Sequence, residues 1–443
     1  MLSNNLMSCC LNFFVYVKII MMNLDTAIDT FLSPIADKIS GIIFSSVTIH
    51  GVKIEFLVAL LMFAAFYFTF RTRFIGVWGF KHALQLITKN YEHKDIRVKK
   101  KKGEVSSFQA LTATISASAG IGNVAGSAAA VSIGGPGVIF WMIMAGFFSM
   151  ALKFAEVLLG LKFRKVNPDG TIAGGPMYYI EGALKNNKYI GKFAPHLSKI
   201  YAICCVFAMI GGWNLFQINA MTTQITEVTG GENSFFANQS WLLGLIVAVI
   251  TYFTIIGGIK AIGKFTSKVT PVMCTLYVMT AFAVCLYNIG HVPHTVMMIL
   301  KEAFEPRAMA GGMFACMLWG FRRAMFANES GLGTAPIAFS AVKTNNAVAQ
   351  AFIAMLQPFV DTVIVGSATA FVIVVSGEYL HTSGIAGIEL TSKAFGSVCP
   401  FFPILLTFMA SCFVLSTMLC GSYYGIKAWN YLFGETKLTT RTF

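Results

Sequence analysis

The chain has 443 residues, of which 56% are hydrophobic and only 12% are charged, whereas soluble domains carry about 25% charged residues. This composition, with 40 Phe, 40 Gly and 22 Met, excludes a disordered, collagenous or coiled-coil protein and a disulfide-stapled secreted module. The ten cysteines form no C-x-x-C pair and most lie inside apolar runs, where a thiol acts as a small hydrophobic side chain. The apolar residues come in blocks of about 20, the length that crosses a bilayer core. The sequence therefore predicts an all-α polytopic membrane protein embedded in the lipid bilayer.

About nine transmembrane helices are predicted along the chain. Residues 1–22 are weakly apolar, contain Lys18 and lack a small-residue cleavage site, so they are interpreted as an N-terminal extension rather than a signal peptide. The first strongly apolar block is Ile54–Phe70, and a basic arm extends from Arg71 to Lys102. The further predicted spans are Ser107–Val131, Val138–Phe163, Lys199–Val228, Trp241–Gly258, Val269–Ile289, Gly312–Ala341, Ala347–Ser376 and Phe401–Leu432.

The distribution of Lys and Arg over the connections predicts the orientation of these spans. Alternate connections are rich in basic residues, whereas 132–137 and 229–240 contain none and 290–311 and 377–400 contain few. The positive-inside rule then places the N-terminus outside and the C-terminus in the cytoplasm. The net charge of +14 is accordingly interpreted as a topology signal, and no nucleic-acid partner is expected.

The segment Ser-Ala-Ser-Ala-Gly-Ile-Gly-Asn-Val-Ala-Gly, residues 116–126, lies within a predicted span. Its G-x-G-x-x-A pattern would indicate a dinucleotide site only after a strand, and the preceding residues are typical of a helix. Small residues at a spacing of four favour close helix packing. Gly-x-Gly-Asn within a span also favours a helix break, which frees N–H groups for a carboxylate and carbonyls for a cation. Both interpretations hold together, because one face can pack while the middle opens.

A second Gly-x-Gly occurs in Glu329–Thr334, about as far into its own span as the first. The charge pattern predicts that these two spans run in opposite directions. Paired interrupted spans of opposite direction indicate an inverted repeat with the binding site between its halves. The sequence contains none of the hydrolase, metalloprotease or kinase motifs, so the protein is not expected to be an enzyme.

Polar side chains inside spans are functional candidates because burying them in a bilayer is costly. Gln217 and Asn219 lie on different faces of one helix, so at most one faces a given ligand. Ser416 and Thr417 offer hydroxyl oxygens suited to a hard cation such as sodium, or alternatively bond back to carbonyls of their own helix.

Charged residues within the spans allow further alternatives. Asp361 follows Pro358 near the middle of a span, and is either a coupling group or an ion-pair partner of Arg322 or Arg323. Lys153 and Glu156 are three residues apart, the spacing of a helical ion pair, and could simply pair with one another.

Several long motifs occur in a characteristic order from about residue 54 onwards. They are Ser107-Phe-Gln-Ala-Leu-Thr, Gly122-Asn-Val-Ala-Gly126, Gly134-Gly-Pro-Gly-Val-Ile-Phe-Trp-Met142, Lys153-Phe-Ala-Glu156, Gly174-Gly-Pro-Met-Tyr-Tyr-Ile180, Asn328-Glu-Ser-Gly-Leu-Gly-Thr-Ala-Pro336 and Ser416-Thr-Met-Leu-Cys-Gly-Ser-Tyr-Tyr-Gly425. In this order they resemble the alanine or glycine:cation symporter family, also called sodium:alanine symporters.

The resemblance implies a five-plus-five inverted-repeat fold, like that of the leucine transporter, preceded by one extra helix. It divides the chain into 1–53 (extension and outer segment), 54–105 (first transmembrane helix and basic arm), 106–290 (first repeat) and 291–443 (incomplete second repeat). It implies a secondary active symporter in a bacterial plasma (inner) membrane that takes up alanine or glycine with sodium, less often with a proton. Sodium would be the coupling ion and no other metal or cofactor is expected; the oligomeric state is left open.

Individual site residues also follow from the resemblance. Gly120, Gly122 and Asn123 would line the substrate and ion site in the interrupted helix. Gln217 and Thr417 would contact the amino acid. The sodium ion would be held at Asn123, the carbonyls of Ser116 and Ala119, and the hydroxyls of Ser416 and Thr417.

Two departures from the family pattern accompany the resemblance. Family members have Trp where this chain has Gly421, which is expected to enlarge or loosen the pocket. They also continue beyond the segment ending at Gly434 for two further helices, which implies a C-terminally truncated second repeat. The alternative function is therefore a truncated, non-transporting remnant or one part of a split transporter.

Overall fold

A computed structural model describes residues 26, 29–49, 52–88, 103–167, 170–305, 312–380, 387–436, 439 and 442. The predicted N-terminal extension and the Lys99–Lys102 end of the basic arm lie outside these residues. Two antiparallel hairpins occur in the described part. Strand β1 (Ser46–Ile49) pairs with β2 (Val52–Glu55), Ser46 opposite Glu55, and β3 (Lys165–Val166) pairs with β4 (Ile172–Ala173), Lys165 opposite Ala173.

Helices make up most of the described chain, as the apolar composition predicts. In order they are α1 (29–43), α2 (Phe56–Arg71), α3 (Ile75–Trp78), α4 (Phe80–Thr88), α5 (Ser107–Ser118), α6 (Ile121–Gly134), α7 (Val138–Lys162), α8 (Pro176–Leu184), α9 (Ala194–Ile210), α10 (Phe216–Val228), α11 (Phe235–Asn238), α12 (Ser240–Ile256), α13 (Gly258–Tyr287), α14 (Val292–Phe304), α15 (Gly312–Asn328), α16 (Ala335–Ser340), α17 (Ala347–Ala354), α18 (Leu356–Pro358), α19 (Ser367–Val375), α20 (Ile388–Gly396) and α21 (Phe402–Phe433). π-Helical segments at Gly211–Leu215 and Phe359–Gly366 join α9 to α10 and α18 to α19.

The chain forms two compact units, residues 1–60 and 61–443, with the boundary inside α2. The first unit contains α1 and the β1–β2 hairpin. Within the second unit, α7 packs against α15, α16 and α17, and α21 packs against α5, α9, α10 and α13. These two long helices therefore form the centre of the larger unit.

Some of the nine predicted spans are continuous helices in the structure, and others are interrupted or short. Within the described ranges, five segments are long, continuous and apolar enough to cross a bilayer: Val138–Lys162, Gly191–Val228, Gly258–Tyr287, Ala347–Val375 and Phe402–Phe433. A sixth is present if α2 and Ile75–Thr88, bent by 66°, count as one span. These are the predicted spans that the structure supports as continuous helices, and the others stay predictions. Helices do occupy the remaining predicted positions, but α12 has only 17 residues and both Gly-x-Gly spans are divided.

The outer surface of the larger unit is apolar where a soluble protein would be polar. Helix α12 buries only Val247 and Thr251, while Ile250, Tyr252 and Phe253 are exposed. An exposed apolar face of this kind marks contact with a membrane or a partner. Together with the spans above, it supports a multi-pass membrane protein.

Candidate functional site

The predicted break in the first interrupted span is confirmed. Helix α5 begins at a capping box formed by Ser106 and Gln109 and ends at Ser118, and α6 begins at Ile121. Gly120 between them has an extended backbone (φ −73°, ψ −178°), which any residue can adopt. Glycine is required at this position because neighbouring side chains leave no room for a Cβ atom, and not because of its backbone conformation.

Three helical spans converge at Gly120. A Cβ atom at this position would lie 2.8 Å from Gln217 Nε2 and 2.9 Å from both Gln217 Oε1 and Thr417 Oγ1. The freed N–H of Ile121 donates to Gln217 Oε1 at 3.1 Å. The hydroxyl of Thr417 donates to the carbonyl of Ser116 at 2.7 Å. The structure therefore brings the two predicted substrate contacts, Gln217 and Thr417, onto the opened backbone.

The two neighbouring hydroxyls of α21 are used differently. Ser416 Oγ bonds back to the carbonyl of Phe413 at 3.0 Å, which is the local alternative for this residue. Thr417 instead reaches across to Ser116. Both side chains are fully buried, and Ser116 Oγ has no hydrogen-bond partner. Of the predicted ion ligands, the carbonyl of Ser116 and the hydroxyl of Thr417 are in direct contact, and Ala119 follows at the end of α5.

The start of α6 is covered by Arg323, a partly buried arginine that the sequence suggested only as a partner of Asp361. Arg323 Nη2 donates to the carbonyl of Gly122 at 2.7 Å and to Asn123 Oδ1 at 3.0 Å. A Cβ at Gly126 would lie 2.3 Å from Arg323 Nη1, so Gly126 makes room for the guanidinium. Asn123 Oδ1 is therefore engaged by a cationic side chain, while its Nδ2, a donor, has no partner.

Neither arginine pairs with Asp361 in the way that the sequence allowed. The carboxylate of Asp361 is hydrogen-bonded to Ser118 Oγ, and Arg323 binds the α6 residues just described. The guanidinium of Arg322 lies 4.9 Å from the Trp319 ring centroid. Of the two alternatives for Asp361, that of a coupling group therefore stays open.

The second Gly-x-Gly is also a break, between α15 and α16. Glu329, Gly331 and Gly333 have positive φ angles of 55°, 89° and 81°, so the chain makes an irregular loop. Glu156 Oε1 accepts the N–H groups of Gly331 at 2.7 Å and Gly333 at 3.0 Å. Lys153 Nζ donates to the carbonyl of Glu329 at 3.0 Å. The loop's freed backbone groups are thus partnered by a charged pair on α7.

That charged pair confirms a prediction from spacing. Lys153 and Glu156 form an ion pair at 3.3 Å, with the lysine fully buried and the glutamate 6% exposed. Burying such a pair is costly unless its other atoms are hydrogen-bonded, and here the loop supplies those bonds. The pair therefore holds the second break in place.

Trp213 links the span formed by α9 and α10 to the second break, a role that was not predicted from the sequence. It lies in the π-helical segment Gly211–Leu215, and its Nε1 donates to Glu329 Oε1 at 3.1 Å. A Cβ at Gly421 would lie 2.6 Å from Trp213 Cβ. The expected enlargement of the pocket at Gly421 is therefore wrong, because Trp213 fills that space. The Gly-Gly pair preceding Trp213 was the available signal, since it can loosen helical packing.

The far end of the second interrupted span is fixed by an arginine just beyond α7. Arg164 donates to the carbonyls of Ser340 at 2.9 Å, Val342 at 2.8 Å and Thr344 at 2.7 Å. These carbonyls lie at and after the end of α16, where helices leave acceptors without intrahelical donors. Burial lowers the pKa of Arg164, but an arginine stays protonated in proteins. The three hydrogen bonds from Arg164 are therefore expected to be independent of pH.

Two helices interrupted within an apolar bundle, with backbone polar groups facing buried polar side chains, define a multi-pass membrane transport protein. The family model described as the sodium:alanine symporter family matches residues 40–443. The chain belongs to the sodium:alanine symporter family.

Curated relatives agree with this assignment. The chain is similar to the sodium/alanine symporter AgcS of Methanococcus maripaludis, at 34% identity over 86% of this chain and 81% of that protein. It is also similar to the probable sodium/glutamine symporter GlnT of Bacillus subtilis, at 31% identity over 87% of this chain and 74% of that protein.

Family membership decides several earlier expectations. The family consists of cation-coupled amino-acid symporters rather than enzymes, which confirms that the protein is a transporter and not an enzyme. The comparisons give no support to the alternative of a non-transporting remnant.

Proposed function

We propose that this protein takes up a small neutral amino acid, alanine or glycine, together with sodium. The observation that carries the proposal is the convergence of Gln217 and Thr417 on the opened backbone at Gly120. Two relatives support the coupling ion, since both carry sodium in their names. Their names differ in the amino acid, so the preference for a small substrate rests on the space at the site.

The substrate carboxylate would lie at the start of α6. The first N–H groups of a helix lack intrahelical partners and carry its positive dipole end, and this helix has 14 residues. The unpartnered Nδ2 of Asn123 adds a donor. Gln217 would contact the amino acid beside Gly120 and Gly122. Because not even a methyl group at Gly120 fits without displacing its neighbours, a small side chain such as that of alanine is favoured.

The sodium ion would lie at the end of α5. The carbonyls of Ser116 and Ala119 lie at the C-terminus of α5, and a helix C-terminus carries negative partial charge. The hydroxyl of Thr417 already donates to the carbonyl of Ser116. Ser416 would join by giving up its bond to Phe413, and Asn123 by giving up its bond to Arg323. Oxygen ligands of this kind suit a hard cation.

The transport cycle would use the two interrupted spans as a moving unit. We propose the five-plus-five inverted repeat with one preceding helix, because the breaks at Gly120 and at Glu329–Thr334 occur in spans that the charge pattern orients oppositely. The N-terminus would be outside and the C-terminus in the cytoplasm of a bacterial inner membrane. Rocking of this unit about the midplane site would expose it alternately to each side.

Uptake of labelled alanine into proteoliposomes tests the proposal. Uptake should require an inward sodium gradient and should be inhibited by unlabelled glycine more strongly than by glutamine. A potassium gradient of the same size is the control. Equal uptake with and without sodium would overturn sodium coupling, and preferential inhibition by glutamine would overturn the choice of substrate.

A further inference from the structure

A second buried oxygen cluster lies away from Thr417 and is centred on Asp361. This residue lies in the π-helical segment Phe359–Gly366 and is fully buried. π-Helical turns inside α-helices often occur at functional sites. The carboxylate of Asp361 belongs neither to the proposed substrate site nor to the proposed sodium site at Ser116.

The hydrogen bonds around Asp361 leave acceptor oxygens without donors. Asp361 Oδ2 is bonded to Ser118 Oγ, and Gln357 Nε2 donates to Ser118 Oγ at 2.9 Å and to the carbonyl of Asn328 at 3.0 Å. Asp361 Oδ1 and Gln357 Oε1 have no hydrogen-bond partner, and both residues are at most 1% exposed. Because an acceptor oxygen buried without a partner costs free energy, these two oxygens are available to a cation or to a further hydrogen-bond donor.

Among the described residues, no basic side chain forms an ion pair with Asp361; Lys153 attracts its carboxylate electrostatically, but is paired with Glu156 at 3.3 Å. Arg323 donates to Gly122 and Asn123 instead. A buried carboxylate without its own ion-pair partner is expensive, so a mobile cation is the natural partner for Asp361.

The ends of two helices add to the attraction for a cation. Ser118 is the last residue of α5 and Asn328 is the last residue of α15. Helix C-termini carry negative partial charge and unpaired carbonyls, and both interrupted spans direct these ends at the cluster. One carboxylate, one carboxamide oxygen, one hydroxyl and two helix ends form an oxygen-rich site suited to a hard monovalent cation.

We propose that Asp361, Gln357 and Ser118 bind a second sodium ion, distinct from the ion at Ser116 and Thr417. This inference rests on the proposed sodium-coupled uptake and adds a second coupling ion to it. Because the site joins α5 and α15 to the span that contains Asp361, its occupation would hold both interrupted spans in one arrangement. Binding of this ion would therefore favour formation of the neighbouring substrate site.

The test is the number of sodium ions coupled to each alanine, obtained from reversal potentials in proteoliposomes. Asp361→Asn preserves side-chain shape but removes the charge, and should lower the ratio by about one sodium ion per alanine. It should also raise the half-saturating sodium concentration by about tenfold or more. The matched control is Glu389→Gln, which neutralises an exposed carboxylate of α20 and should change neither value.

A ratio that is the same in Asp361→Asn as in the unmodified protein would overturn the second site. A ratio of about one sodium ion in the unmodified protein would also overturn it. If no sodium-dependent uptake occurs in the unmodified protein, the proposed function itself fails, and this separates the two proposals.

A binding measurement covers the case in which the variant does not transport. Sodium, compared with choline at equal ionic strength, should raise the unfolding midpoint of the purified protein without substrate. Ser118→Ala removes one hydroxyl from the second site and leaves Thr417 intact, and should weaken this sodium dependence. An unchanged dependence in both Ser118→Ala and Asp361→Asn, as expected if a proton neutralises Asp361, would overturn the sodium assignment.

Discussion

Replacing Gly120 with alanine would perturb the proposed site at one atom. The extended backbone at this position accepts alanine, so no backbone strain is introduced. The added Cβ would lie 2.8 Å from Gln217 Nε2 and 2.9 Å from Thr417 Oγ1, closer than packed atoms allow. Both neighbours are side-chain ends that can move. Their movement would break the bonds from Ile121 to Gln217 and from Thr417 to Ser116.

The magnitude follows from those two bonds. A neutral hydrogen bond contributes about 1 kcal/mol, so losing both costs about 2 kcal/mol, or roughly thirtyfold in affinity. We therefore expect the KM for alanine and the half-saturating sodium concentration of Gly120→Ala to rise together by at least about tenfold. The assay is labelled alanine uptake in proteoliposomes, with size-exclusion chromatography to verify that the variant is folded.

Gly244→Ala is the matched control for this substitution. Gly244 lies in α12, and a Cβ there meets nothing within 4 Å. Alanine is favoured over glycine in a helix by about 0.5–1 kcal/mol, so transport should be unchanged. If folded Gly120→Ala has the same KM and sodium dependence as Gly244→Ala, the close contact at Gly120 does not shape the site and the reasoning is refuted.

Three other substitutions test the groups that hold the site, each by the unfolding midpoint in detergent. Lys153→Met leaves the buried carboxylate of Glu156 without its cation and should lower the free energy of unfolding by about 3–5 kcal/mol. Neutralising Glu156 as well should recover part of this loss, and no recovery would contradict a direct pairing. Trp213→Phe removes the donor to Glu329 and should cost about 1–3 kcal/mol, whereas Trp78→Phe, which loses an N–H bond at an exposed ring, should cost less; equal losses would refute the role of that bond. Arg164→Gln should lower the unfolding midpoint by about 3 °C or more because charge-assisted bonds to three carbonyls are lost. This decrease should be the same at pH 6 and pH 9. A decrease at only one pH would contradict a permanently charged arginine.

Local sequence patterns predicted much of the site because they act through the backbone. Gly-x-Gly-Asn at residues 120–123 indicated a helix break, and the structure has one between Ser118 and Ile121. The spacing of Lys153 and Glu156 indicated an ion pair, which is present. Both signals depend on residues a few positions apart, whose geometry is fixed once a helix forms.

Contacts between distant spans were not predictable in the same way. Trp213 contacts Glu329 across 116 residues, and Arg323 contacts Asn123 across 200. Which face of a helix meets which neighbour depends on the packing of all the spans, so the sequence offered Arg323 only as a partner for Asp361. Of the nine predicted spans, the structure supports five or six as continuous helices, because hydropathy measures apolar content but not where a helix ends.

The sequence by itself determined that this is an apolar, helical membrane protein with two interrupted spans, because composition and glycine spacing act locally. Its ordered motifs also identified the symporter family. Only the tertiary structure decided what the freed backbone groups meet: Gln217 and Thr417 at the first break, and the Lys153–Glu156 pair at the second. It also decided that Asp361 faces Ser118 rather than an arginine. The physical reason is that buried polar groups take the partners that packing brings within reach, and those partners lie far apart in the chain.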